Sequence, residues 1–375
     1  VPALAAGTGR NFLKTWTGAG QQRWKPEKMD ENITVGHPFY FPTQAILLDD
    51  DPDFLDGISL MLDKTLAFKL FQSARSALQY VNEAHQHVNF LQRCYTNYKT
   101  GPLESDSLSH IDIGKLHLEV LNGFRFRTCS TLIVDYSMPE MNGLEFLMSV
   151  RNPFIRKVLL TGQADMELAI KAFNQQLIDQ FIDKHDPRLK QKLNATIASF
   201  QDQYFRSSFK LITDPIIANN HDGFLVNHDF QQYFSELCRQ LNCVEYYMLD
   251  TPHSGFLLVD PGGKRQCLLI YTQEALTEHY HQLCQLDAPD ELLRQVGTGA
   301  LLPGFDLQSN VLTPEHPLLL DWKQHYHPGR KIASAAMTYH TTLTGDDLLT
   351  GIHGRQIFSY NDFLEINNIA QQVMH

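Results

Sequence analysis

Between residues 43 and 187 the chain carries short, unbroken apolar runs, each closing on polar residues. Ala45-Ile46-Leu47-Leu48 ends in Asp49-Asp50-Asp51-Pro52, Thr131-Leu132-Ile133-Val134 in Asp135, Lys157-Val158-Leu159-Leu160 in Thr161-Gly162, and Asp179-Gln180-Phe181-Ile182 in Asp183-Lys184. An apolar run without alternation predicts a strand buried on both faces, as in a parallel sheet. Between the runs, Phe54, Leu55, Ile58, Leu62 and Leu66 fall at helical spacing, and Phe68 to Ser73 predicts a further strand. Helices are predicted over 74–84, 143–150 and 165–174.

Five such strands alternating with helices predict an α/β domain, a flavodoxin-like, doubly wound, five-stranded parallel sheet. Residues 85–127 interrupt the rhythm, with a polar and aromatic stretch around Thr100-Gly101-Pro102 and a short helix expected from Ile113 to Leu121. A connection of this length is usually functional or an inserted subdomain. After Pro187, Leu189, Leu193, Ile197, Phe200 and Tyr204 recur at steps of three and four with no Gly or Pro among them, which predicts one long amphipathic helix over 188–213.

Beyond it, Phe256–Val259 and Cys267–Ile270 flank Asp260-Pro261-Gly262-Gly263-Lys264, which is hairpin chemistry. Helices around 229–240, 274–285 and 289–296 and a strand near 331–339 complete a C-terminal α+β domain. The expected division is an extension at 1–40, the α/β domain at 41–187 with its insertion at about 85–127, a linker helix at 188–213, and an output domain at 214–375.

At 375 residues the chain holds two domains of ordinary size and a connector. With 43% hydrophobic and 19% charged residues it has a globular composition, and no apolar run approaches the ~20 residues a membrane helix needs. A membrane-embedded protein is excluded, and a cytoplasmic location is the expectation. Lys+Arg 31 against Asp+Glu 42 gives a net charge of −11, which disfavours a protein that coats nucleic acid with its whole surface. Val1 to Gly7 is too short for a signal-peptide core and has no basic flank. The six cysteines, Cys94, Cys129, Cys238, Cys243, Cys267 and Cys284, are too sparse for a disulfide framework and read as reduced thiols.

In a doubly wound sheet the carboxyl ends of the strands share one edge, and ligands bind there. That edge collects Asp49, Asp50, Asp135, Thr161 and Lys184. Crowded carboxylates raise one another's pKa values, so an ionised cluster calls for a hard divalent cation, and Mg2+ with about six oxygen ligands fits. A cation beside a carboxylate, with a lysine and a hydroxyl at hand, points to phosphoryl chemistry.

The same residues belong to a wider pattern. Leu47-Leu48-Asp49-Asp50-Asp51-Pro52, Ile133-Val134-Asp135-Tyr136-Ser137-Met138-Pro139-Glu140-Met141-Asn142-Gly143, Leu160-Thr161-Gly162 and Phe181-Ile182-Asp183-Lys184 closely resemble the receiver domain of two-component response regulators, over about residues 43–187. The resemblance implies that Asp135 is the phosphoacceptor and that Asp49 and Asp50 are the acid pair. It implies Mg2+ held directly by Asp50, Asp135 and the backbone carbonyl of Ser137. Lys184 would pair with the phosphoryl group, Thr161 and Phe181 would form the switch, and Ser137 and Gln163 would tune attack by water. A sensor histidine kinase or phosphotransfer protein is the implied partner, and a homodimer on phosphorylation the frequent output.

Two departures stand out. His185 and Asp186 separate Lys184 from Pro187, where the family has proline directly after its lysine in a cis bond, and Phe181 stands where tyrosine is frequent. The insertion at 85–127 also precedes the phosphorylated strand. The whole-chain layout resembles that of a quorum-sensing response regulator, which implies growth-phase control.

The output domain carries weaker signals. Cys238, Cys243, Cys267, His279, His281 and Cys284 lack the paired spacing of a zinc knuckle, and Asp260 to Lys264 lacks that of a phosphate-binding loop. No helix concentrates a basic recognition face. A regulatory module that binds protein or nucleotide is the favoured expectation and a nucleic-acid binder the first alternative, with an enzyme or a purely dimerising domain as the remainder.

Overall fold

The apolar runs become the strands they predict. The protein is described here from a computed structural model, covering residues 37–87, 95–99, 107–162, 165–218, 224–249, 255–303, 322–332, 338–344, 352 and 354–373. In chain order β1 is Phe39–Tyr40, β2 Gln44–Leu48, α1 Pro52–Ser59, β3 Ala67–Phe71, α2 Ala74–His87, β4 Tyr95–Lys99 and β5 Ser107–Ile111. They are followed by β6 Cys129–Asp135, α3 Gly143–Ser149, β7 Arg156–Thr161, α4 Met166–Asn174, β8 Gln180–Asp183, α5 Leu189–Ser208 and α6 Lys210–Ala218. The C-terminal part supplies α7 His228–Gln240, β9 Glu245–Leu249, β10 Gly255–Val259, β11 Arg265–Tyr271, α8 Gln273–Gln285 and α9 Asp290–Gly297. It ends with β12 Leu301–Pro303, α10 Trp322–His325, β13 Tyr326–Pro328, β14 Arg330–Ile332, β15 Thr338–Thr344 and α11 Tyr360–Val373.

The first sheet has the order β3-β2-β6-β7-β8, with every neighbouring pair parallel. Burial on both faces explains the unbroken apolar runs, because β2 and β6 are buried throughout. On one face Leu55, Ile58, Leu193 and Ile197 of α1 and α5 pack against Ala45, Leu47, Ile133 and Leu160. On the other, Ala77, Val81, Phe146 and Ala169 of α2, α3 and α4 pack against Ile46, Leu48, Leu132 and Leu159. The doubly wound fold expected from the sequence is therefore present, as is the second α+β unit.

That second unit is a six-stranded antiparallel sheet ordered β1-β9-β10-β11-β15-β14. The Asp260–Lys264 turn closes β10 on β11, with Asp260 Oδ1 accepting from the N–H groups of Gly262 and Lys264 and Gly263 at φ +84°. The strand expected near 331–339 is split between β14 and β15, with residues 333–337 outside the described residues.

Three expectations are corrected. The helix expected over 188–213 ends at Ser208: Phe209 leaves helical geometry, and α6 begins at Lys210 with Pro215 inside it. Tertiary packing sets the break, because the rings of Phe205 and Phe209 both close on Phe39 and Phe41. The extension expected to end at residue 40 reaches into the second sheet, where Phe39 and Tyr40 pair with Tyr247 and Tyr246 of β9. The helix expected at Ile113–Leu121 is present but is a 3-10 helix.

The two sheets share one core. A single apolar cluster runs from the α2 face of the parallel sheet through Phe126, Phe205 and Phe209 to Tyr247, Phe256 and Leu268 of the antiparallel sheet. The insertion is part of this seam, since fully buried Arg125 forks onto Glu245 of β9 with both bonds at 2.7 Å. From the other direction α11 lies against β3, with the Tyr360 hydroxyl donating to Thr65 O at 2.7 Å.

Candidate functional site

The polar residues that close the parallel strands meet at one edge of the sheet. Asp49 follows β2 and Asp135 ends the central strand β6; both are buried, whereas Asp50 is exposed. One carboxylate oxygen from each of Asp49, Asp50 and Asp135 lies within 4.8 Å of the others. Lys184, just after β8, reaches across this group with Nζ at 2.7 Å from Asp49 Oδ2 and 2.8 Å from Asp135 Oδ1. Its ammonium also lies 4.5 Å from the centre of the Phe54 ring, a cation–π contact from the second residue after Pro52.

Local sequence explains the placement. Asp51 caps α1, its carboxylate accepting from the N–H groups of Asp53 and Phe54, and Pro52 sits at the first helical position, where its missing N–H costs nothing. The chain therefore turns sharply after β2, and the Asp51 N–H donates back to Asp49 Oδ1 at 3.1 Å. After β6, Asn142 and Glu145 form a capping box at the start of α3. Gly143 is required there because a Cβ would stand 2.2 Å from the Asp135 carbonyl oxygen. The Lys184 N–H donates to Thr161 O, which fixes the lysine at the end of its strand.

The charges are unequal. Three carboxylates face one ammonium. Burial pushes the Asp49 carboxyl above its ordinary range, outweighing the lowering by Lys184 and the Asp51 N–H, with Asp135 adding to the rise. Burial works against charge on Lys184 too, but its bonds to Asp135 and Asp49 overcome it and hold the amine above its ordinary value. The site has surplus negative charge concentrated on Asp49 and Asp135, with Asp50 open to solvent. This donor set fits a hard, oxygen-binding divalent cation: carboxylates converge, and no sulfur or imidazole is among them.

The other expected residues are arranged around this core. Thr161 is buried at the end of β7, and its hydroxyl donates to Gly162 O at 2.8 Å. Phe181 is half-buried and packs edge-on against Phe173 of α4 at 6.1 Å. Its register partner is Leu159, two positions before the strand's end, so it stands apart from the carboxylates. Ser137 is exposed, and its hydroxyl donates to Asp165 Oδ2 at 3.0 Å, joining the loop after β6 to the start of α4. Gln163 lies outside the described residues.

Three contributors escaped the sequence reading: Phe54, Asp165 and Glu140. Glu140 accepts from the Ser73 hydroxyl and the Arg75 N–H at the start of α2. Phe54 lies on the helical stripe read from the sequence, but no local pattern turns its ring toward Lys184. Among the described residues the acid cluster is the only group of three or more metal-ligating side chains, so the cysteines and histidines of the second unit do not converge. Cys129, Cys238, Cys243 and Cys267 are buried free thiols, as the composition led one to expect, while Cys284 is exposed. Among the described residues no helix is long and apolar enough to cross a membrane.

A five-stranded parallel sheet of this order, with acids after its first and central strands and a lysine after its last, is the arrangement of a response-regulator receiver domain, and this part of the chain resembles such domains in fold and site. The chain is similar, over most of its length, to the Legionella pneumophila response regulator LqsR, with 29% identity, coverage of 88% of this chain and 96% of that one, and a TM-score of 0.68. Two further solved structures match less than half of this chain. A CheY-like receiver domain protein from Methanospirillum hungatei JF-1 shares 16% identity over 44% of this chain and 98% of its own, at a TM-score of 0.29. An adenylate cyclase from Rhodopirellula baltica shares 20% over 48% and 99%, at 0.31. No protein-family model and no curated protein matches the chain.

Proposed function

We propose that this chain is a phosphorylation-controlled response regulator that accepts a phosphoryl group on Asp135 from a sensor histidine kinase or phosphotransfer protein. The observation that carries the reading is the bridge of Lys184 to both Asp49 and Asp135 within a cluster of three converging carboxylates. In this reading Asp50, Asp135 and the Ser137 backbone carbonyl hold Mg2+, with Asp49 completing the acidic set. The ion, when bound, offsets the charge of the carboxylates and of the incoming phosphoryl group.

The residues of the chain do the rest. A carboxylate oxygen of Asp135 forms the new O–P bond as the N–P bond to the donor imidazole breaks and the departing nitrogen takes a proton. Lys184, already 2.8 Å from Asp135 Oδ1, exchanges that contact for the phosphoryl oxygens and steadies the added charge. Thr161 gives up its bond to Gly162 O and turns its hydroxyl to the new group, and Phe181 repacks with it. Phosphorylation acts only by favouring one of two arrangements, and the hydroxyl's alternative partners supply such a difference.

A receiver at 41–187 followed by a separate output unit beyond the linker remains part of this proposal, as does dimerisation on phosphorylation. So does a role in quorum sensing, in a cytoplasmic setting. The charge distribution bears on the output. Residues 214–375 contain 8 Lys+Arg against 19 Asp+Glu, so that part alone accounts for the net charge of −11, while the remainder is balanced. An acidic output unit repels a phosphate backbone, which favours a protein-directed regulatory role over nucleic-acid binding.

The test is to incubate wild type and Asp135→Asn with acetyl phosphate and Mg2+, measuring acid-labile phosphate by mass and oligomer size. Wild type is expected to gain one phosphoryl group and a larger species, and the variant neither. An unlabelled wild type, or equal labelling of both, overturns the assignment.

A further inference from the structure

Hydrogen bonds made by the first turn and the middle of α2 join the loop that follows Asp135 to the start of β2 and, through it, to the C-terminal helix. At the site end, Glu140 belongs to the loop that follows Asp135. Its carboxylate accepts from the Ser73 hydroxyl at 3.1 Å and from the Arg75 N–H at 3.3 Å, so it grips the first turn of α2. A carboxylate there satisfies an orphan N–H and complements the positive end of the helix.

The middle of α2 carries Tyr80, whose hydroxyl donates to Gln44 Oε1 at 2.7 Å. Gln44 opens β2 and is fully buried, and its amide nitrogen donates to Asn367 Oδ1 at 3.0 Å. Asn367, on α11, donates in turn to Phe68 O of β3 at 2.6 Å. The Gln44–Asn367 bond at the centre of this series is buried and the two flanking bonds are part-buried, so a displacement of the Gln44 amide is felt by its partners on both sides. The same helix is anchored to the output unit, since the Asn361 N–H donates to Pro261 O in the β10–β11 turn and Ser359 caps the helix through Asp362.

From this we infer that α2 is a relay between the acidic site and α11. Occupancy of the site moves the loop that bears Glu140, and α2 passes that movement through Tyr80 and Gln44 to Asn367. The grip of α11 on the receiver then changes, and with it the hold on the β10–β11 turn. Tyr360 and Phe363, packed on Phe126, form the apolar hinge about which this takes place. The relay runs along the β3 side of the sheet, away from Phe181 and α4. In its response to phosphorylation it rests on the reading given above; the hydrogen-bond coupling itself does not.

Hydrogen exchange of the full chain, read by mass spectrometry on the segments 137–142, 74–80 and 360–367, separates the two. In unphosphorylated protein, Glu140→Ala is expected to speed exchange at 360–367 by about fivefold or more, and Asn367→Ala to do the same at 74–80 and 137–142, because coupling is reciprocal. Exchange at α5 and β9 serves as the control and is expected to stay unchanged. If neither variant moves the other end, or if the control segments accelerate equally, the relay is overturned whatever phosphorylation does. Adding acetyl phosphate and Mg2+ to wild type, with labelling confirmed by mass, is expected to change exchange at 360–367, and Glu140→Ala is expected to abolish that change. A labelled wild type with unaltered α11 also overturns the relay, whereas an unlabelled wild type counts against the Asp135 reading alone.

Discussion

Arg125 and Glu245 meet at the seam between the two sheets with both side chains at 0% exposure, while Lys184 meets Asp49 and Asp135 at the sheet edge with its side chain 18% exposed. The seam pair is balanced and saturated. Arg125 gives two parallel bonds to the Glu245 carboxylate and further ones to Phe358 O and Asn122 O, and Glu245 also accepts from the Tyr247 hydroxyl. The edge group has three carboxylates for one cation and keeps Asp50 in solvent. Saturation fixes a geometry, whereas surplus charge next to solvent leaves room for a ligand to add something. The difference marks one cluster as architecture and the other as chemistry.

The comparison breaks most easily at the seam. Arg125→Met leaves Glu245 charged and unpaired in a dry core, and about 3–5 kcal/mol of stability should be lost in a denaturant titration. Adding Glu245→Leu should recover much of it. A single variant that unfolds within ~1 kcal/mol of wild type would show the pair to be dispensable.

At the edge the expected response is opposite in sign. In the proposed function Mg2+ would relieve the surplus charge, so at a hundredfold excess over its Kd it should raise the unfolding free energy by about 2.7 kcal/mol, seen as a higher Tm. Asp50→Asn combined with Asp135→Asn should lose that gain, and a full gain in the double variant would place the ion elsewhere.

Gly143→Ala tests how tightly the edge is framed. Its Cβ would meet the Asp135 carbonyl oxygen at 2.2 Å, and backbone must shift at a cost of about 1–3 kcal/mol. Weaker Mg2+ binding by the variant is expected too, since the shift moves Asp135 itself; unchanged stability would mean the loop has slack.

The smallest effect is the pH response. Burial raises Asp49, so the folded state binds its proton more readily than the unfolded one, and this group's contribution grows as pH falls from neutral through its folded value, levelling near 3.8. Lys184 is also raised, so its contribution is complete below 10.5 and lost as pH rises through its folded value. Lys184→Met should flatten the alkaline limb of a stability profile and steepen the acid one, and an unaltered alkaline limb would remove Lys184 from the ion pair.

Much of the edge was legible in the sequence because parallel strands advertise themselves. A run such as Thr131–Val134, apolar on both faces, ending in an acid, fixes the strand and places the acid at its end. The turn into α1 is set by equally local chemistry, the cap at Asp51-Pro52 that the structure shows. The seam was not legible. Nothing near Arg125 signals that Glu245, 120 residues away, will neutralise it, and an arginine before a strand reads as a solvent residue.

The sequence by itself determined the order of strands and helices in the receiver and the set of carboxylates, hydroxyl and lysine at its edge, since these depend on local periodicity and on one rule of sheet topology. Only the tertiary structure decided where α5 stops, because Phe205 and Phe209 obey the ring cluster around Phe39 rather than helix propensity. Only it decided that Phe39 and Tyr40 join the second sheet, that α11 returns to β3, and that Glu140 reaches α2. Those contacts join residues far apart in the chain through burial and hydrogen bonding, whose partners no local pattern names.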